Sequence, residues 1–147
     1  MAFIPPDRPS GRSPSDAVAA GLAAAVTAGI PSTVSTLLGG GDVLEGARAA
    51  GAIVRPGETR TPVLLALAVP VHLGLSLGWA AALAAVLPRR AEPVWGAAAG
   101  LAIAALDLGV IGQRIPAIRA LPQGRQWADH VAYGLTVGLV LRARRHP

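Results

Sequence analysis

Apolar residues fill four long blocks of the chain, and the polar residues are pushed into the gaps between them. Residues 17–41 and 61–88 carry no formal charge, and residues 93–113 carry only Asp107. Each run exceeds the roughly 18 apolar residues that mark a membrane-spanning helix. The fourth block, residues 126–141, gives ~24 Å of helix against a ~30 Å hydrocarbon core. Trp127 at one end and Arg142 at the other can anchor and snorkel to cover that shortfall. The pattern predicts an all-α protein, a four-transmembrane-helix bundle with spans at about 16–38, 62–87, 94–113 and 126–141.

Local signals refine these elements. Asp16 offers a helix cap to span one, and Pro31 marks a kink within it. Pro62 suits a helix start, and Pro70 predicts a second kink in span two. The segment 88–93 is too short for anything but a tight turn. Asp42 with Glu45 three residues later reads as a capped start. Asp42, Glu45 and Arg48 then share one face and Val43, Leu44, Ala47 and Val54 fall mainly on another. This predicts a short interfacial helix between spans one and two. In the connection 114–129, Pro116 and Pro122 prevent one long regular helix, and the segment should also lie at the interface.

The first fifteen residues, rich in Pro, Ser and Gly, predict a disordered tail ahead of a single membrane domain, 16–145. A signal-peptide reading would use Arg8 and Arg12 as its basic region and cleave after Val26-Thr27-Ala28. The apolar run is longer than a signal core and continues past that point, which favours an uncleaved first span.

Composition agrees with a lipid environment. Of 147 residues, 52% are hydrophobic and 14% charged, against about a quarter charged in soluble domains. The net charge is +5 and every basic residue is Arg. The arginines are scattered over all hydrophilic segments and aromatics are only 3%. That pattern suits loops beside anionic headgroups and argues against nucleic acid. With no Cys there is no disulfide framework or thiolate metal site. Four spans place the N-terminus, the 88–93 turn and the C-terminus together with seven arginines, against six on the other side. The basic tail from Arg142 to Arg145 sits hard against its span, so both termini are expected in the cytoplasm, at the plasma membrane.

Two groups of residues stand out. Gly74–Gly78, Gly96–Gly100 and Gly134–Gly138 are GxxxG pairs, and Gly21, Ala25 and Gly29 form a similar ladder. Such spacing lets backbones approach closely in lipid, within the bundle or across a homo-oligomer face. Asp107 is the second. A lone carboxylate there costs ~3 kcal/mol on insertion scales, so it should face the bundle with a partner or be protonated through desolvation. Arg114, seven residues on, falls on the same face of a regular helix. Topology also gathers His72, Gln113, Asp129, His130, Tyr133, Ser32, Thr33, Ser35 and Thr36 toward one side, leaving the other half dry. That polar half is either a hydrogen-bond network fixing helix register or a site for a small solute or ion. A small transporter or channel using Asp107 and His72 is the alternative to a non-enzymatic membrane protein.

Enzyme chemistry is weakly supported. Gly74-Leu75-Ser76-Leu77-Gly78 matches GxSxG, but that motif needs a strained strand-to-helix turn, and here it lies inside an apolar helical run. An intramembrane hydrolase ranks third. No HxxxH or HxxE pair supports a metal site, and no cofactor is implied. The words ALDLGVIGQRIPAIRALP and WADHVAYG resemble those of small, uncharacterised four-span integral membrane proteins of high-GC, actinobacterial-type bacteria. The resemblance covers residues 16–145, implies the same four-span fold, and brings no activity with it.

Overall fold

A computed structural model describes residues 12–145, and among them every regular element is helical. Helix α1 runs Pro14–Thr27 and opens on Ser13, not on Asp16 as the sequence suggested. The Ser13 hydroxyl accepts from the Asp16 amide at 3.3 Å, and the Asp16 carboxylate accepts from the Ser13 amide at 2.8 Å. Asp16 is therefore the third helical residue of a capping box. Arg12 and Ser13 lead directly into α1, which includes Pro14 and Ser15; residues 1–11, most of the predicted tail, lie outside the described residues.

The first apolar run is broken rather than bent. Helix α1 stops at Thr27 and α2 begins at Ile30, running Ile30–Leu38, with Pro31 in its first turn. A proline ring clashes with the carbonyl four residues back and supplies no N–H, and residue 27 is where α1 ends. Helix α3 spans Glu45–Val54, starting one turn later than its acidic signal. Asp42 instead closes a turn by accepting from the Leu44 amide at 2.9 Å and pairs with Arg48. A side chain at Gly51 would collide with the Leu64 backbone, so α3 lies tight against the next helix.

That helix, α4, is a single 26-residue element, Thr61–Val86, which continues through Pro70. The chain turns at Ala91, the one described non-glycine residue with a positive φ (52°). Helix α5, Glu92–Leu106, then leads into a π-helical turn, Asp107–Ile111, and a 3-10 turn, Gly112–Arg114. A four-residue helix α6, Pro116–Arg119, precedes α7, Gln123–Ala143. The last helix is longer than the 126–141 block implied, because Gln123, Gly124 and Arg125 at its start and Arg142 and Ala143 at its end continue it.

Helix α1 packs on α4 and on α7; α7 packs on α5 and, at its beginning, on α2; α3 packs on α4 and touches α6. Helices α4 and α5 are consecutive but share no comparable seam. The core joins Ala20 and Ala24 of α1, and Ala28 just past its end, to Ala80 and Leu83 of α4, with Leu87 just beyond that helix. Ile103 of α5 and Tyr133, Val137 and Leu141 of α7 complete it.

Side-chain size is skewed outward along the rods, although Val137 and Leu141 are also enclosed. Ala20, Ala24, Ala80 and Ala104 are fully enclosed, while Val26, Leu38, Val86, Val94, Leu101 and Leu139 face outward. In water the larger side chains would be driven inside; in lipid there is no such drive, and small residues line the contacts so that backbones can close up. Three rods, Pro14–Leu38, Thr61–Val86 and Glu92–Arg114, are long and apolar enough to cross a membrane. Helix α7, at 21 residues, is about 31 Å long but more polar.

Candidate functional site

The tightest seam is glycine on glycine. A Cβ added at Gly96 would land on the carbonyl of Gly134, and one at Gly134 on the carbonyl of Gly96. At Gly100 it would strike the His130 carbonyl, and at Gly138 the Glu92 carbonyl. Only glycine permits this approach of α5 to α7. The third GxxxG pair is different: Gly74 and Gly78 have nothing within 4 Å and lie on an open face of α4.

Because α5 and α7 lie so close, residues just past the seam meet. Asp107 opens the π turn, where the Gly112 amide bonds back five residues to the Asp107 carbonyl. Its carboxylate oxygen Oδ2 accepts from the Trp79 indole N–H of α4 at 3.1 Å and stands 3.6 Å from His130 Nε2 of α7. The other ring nitrogen, Nδ1, is 2.8 Å from the Gln126 carbonyl one turn back. One turn further along α7, the Tyr133 hydroxyl donates to the Ser76 carbonyl of α4 at 2.5 Å.

Two sequence expectations are corrected here. Arg114 is not the partner of Asp107; it is exposed and forms no ion pair with it. Seven residues of regular helix would return Arg114 to the Asp107 face, but a wide π turn followed by a tight 3-10 turn changes that phase. Nor does His72 join Asp107. It is exposed, and its Nε2 lies 2.8 Å from the Ala25 carbonyl. Gln113 is spent locally on the Leu108 carbonyl.

His72 and Asp129 serve the break in the first rod. With α1 ended at Thr27, the Ala25 carbonyl has no helical amide, and the His72 ring donates to it. The Ser32 amide, in the first turn of α2, donates to Asp129 Oδ1 at 2.8 Å. A carboxylate from α7 thus replaces the cap that Gly29 cannot supply, at the end of the helix where negative charge is favoured. Arg125 ties the far end of α2 by donating to Thr36 at 2.9 Å, and Thr27 meets Thr136 at 3.0 Å. Beside the break, Gly29, Thr33, His72 and their apolar neighbours line an open groove of about 370 Å³.

The half expected to be dry holds the most deeply buried charge. Glu92, the first residue of α5, is 0% exposed. It accepts from Arg12 at 2.6 Å and from Arg145 Nε at 2.9 Å. Arg12 also donates to the Ala84 and Leu87 carbonyls, both at 2.8 Å, which have no further turn of α4 to serve them. Alongside, Arg144 pairs with Asp16 at 2.9 Å. The signal was present: the same topology that gathers the arginines also brings Asp16 and Glu92 to that end.

Among the described residues no three His, Asp or Glu side chains converge to hold a metal. Ser76 sits within the unbroken helix α4, not at an exposed elbow. No family model, curated protein or solved structure matches the chain.

Proposed function

We propose that the chain is a non-enzymatic, four-span integral protein of the plasma membrane with both termini in the cytoplasm. Its interior polar groups fix the register of the spans. The reading is carried by the outward skew of side-chain size along three rods that are each long enough to cross lipid. Helix α7 supplies the fourth crossing. It packs along α1 and α5, and its Asp129, His130 and Tyr133 all find partners on neighbouring helices. Intramembrane polar groups need such partners, since hydrocarbon offers none. Helix α3 and α6 lie at the outer interface.

The chain has no cysteine, so single cysteines report topology directly. In intact cells an impermeant maleimide is expected to label Gly124→Cys, and to label Arg89→Cys and Arg142→Cys only after the membrane is opened. Labelling of Gly124→Cys and Arg142→Cys from the same side would remove the fourth span.

A further inference from the structure

We propose that Asp107 and His130 hold one proton between them and form a proton-binding site inside the membrane domain. The imidazole is the more constrained partner. Its Nδ1 faces a backbone carbonyl, which can only accept, so Nδ1 carries a hydrogen. A neutral ring then has a bare lone pair on Nε2, which stands 3.6 Å from Asp107 Oδ2. A bare nitrogen against a bare carboxylate is repulsive, and low dielectric magnifies the repulsion. One added proton removes it in either of two ways. On Nε2 it makes an imidazolium facing a carboxylate; on Oδ2 it makes a carboxylic acid aimed at the ring nitrogen. Moving that proton from Nε2 to Oδ2 interconverts the two with no change in total charge, so the titrating unit is the pair.

The surroundings leave the pair to itself. From α4 only the Trp79 indole reaches it, and His72 on that helix is engaged at Ala25. On α7, Asp129 is bound to the Ser32 amide, Tyr133 to the Ser76 carbonyl and Arg125 to Thr36. On its own rod, Arg114 points to the exterior. No fixed cation stands beside Asp107, which leaves the His130 ring as its ionisable neighbour.

The site also has a mechanical lever. Among the described residues, Trp79 to Asp107 is the only hydrogen bond joining α4 to the rod 92–114. It lies at a π turn, a backbone irregularity frequent at functional positions. Gain or loss of the proton changes the charge on the oxygen that Trp79 holds, and with it the tie between α4 and a rod with which it shares no close seam.

The test builds on the membrane reading but fails separately from it. In a Trp95→Phe/Trp127→Phe background Trp79 is the remaining tryptophan. The protein is reconstituted in phosphatidylcholine vesicles, and co-flotation first establishes insertion. Trp79 emission is then followed from pH 4 to 9. We expect a sigmoidal change, absent in Asp107→Asn and displaced by at least one pH unit in His130→Gln. A change that survives Asp107→Asn in place overturns the proposal. Nitrogen-15 spectra of histidine-labelled protein cover the case of an insensitive indole. Nδ1 of His130 should stay protonated throughout while Nε2 exchanges its proton; a neutral ring protonated at Nε2 and bare at Nδ1 overturns the proposal outright.

Discussion

Adding one methyl group to a glycine should have opposite consequences at two GxxxG pairs that look alike in sequence. Gly96→Ala drives a Cβ onto the Gly134 carbonyl, which belongs to helix backbone and cannot rotate away. The seam must open. Forcing a methylene into a packed interior costs about 1–3 kcal/mol, while alanine in place of glycine returns up to ~1 kcal/mol of helix propensity. The expected net loss is ~1–2 kcal/mol. Gly74→Ala undergoes the same chemical change with nothing within 4 Å, so it keeps only the propensity gain and should be neutral or slightly stabilising. Gly96→Ala/Gly134→Ala should cost less than twice the single change, since one opened seam accommodates both. Reversible unfolding in mixed micelles, followed by circular dichroism, measures all three. Equal effects of Gly96→Ala and Gly74→Ala would refute the packing of α5 on α7.

Three further outcomes follow from the polar contacts. Glu92→Ala leaves Arg12 buried without its carboxylate, and should destabilise the protein by ~3 kcal/mol or more in the same assay, with Glu92→Gln costing less; a loss under 1 kcal/mol would show that the cluster is not closed. Asp129→Ala removes the substitute cap at the rod break, at about 1 kcal/mol, and amide exchange should rise first at Ser32; unchanged protection there contradicts the role. The Arg60 side chain, hydrogen-bonded to Glu58, holds that carboxyl at about 2 against an ordinary 4.5. Its contribution is therefore complete above the ordinary value and lost as pH falls through about 2. Carboxyl NMR shifts should show that low midpoint, and Arg60→Ala should move it up toward the ordinary value, the Thr59 and Arg60 amides still donating to the carboxylate; a midpoint near 4.5 in the unaltered protein rejects the Arg60–Glu58 pairing.

The rods were legible because hydropathy and proline act locally. The uncharged runs mark all three apolar rods to within a few residues, and Pro31 gives away the break at Ala28 and Gly29. What stayed hidden depends on which faces meet. The Gly74 and Gly96 pairs have identical spacing, and only the packing of α5 on α7 gives one of them a partner. The Asp107 partner was not legible because residue spacing implies a regular helix there, and a π turn has no clear sequence signature. The indole of Trp79 reaches it from a helix 28 residues away in sequence. The Glu92 cluster was missed for another reason: its charges were counted as solvated loop residues although topology placed them together. His72 and Asp129, both prominent in the sequence, answer orphaned backbone groups at the break.

The central claim is that hydrocarbon surrounds the outward Leu, Val and Ile side chains. Expressed in cells, the chain should sediment with membranes, resist extraction by alkaline carbonate and leave the bilayer only with detergent. Recovery as a monodisperse, helical monomer in plain buffer, with those side chains in water, would contradict the account.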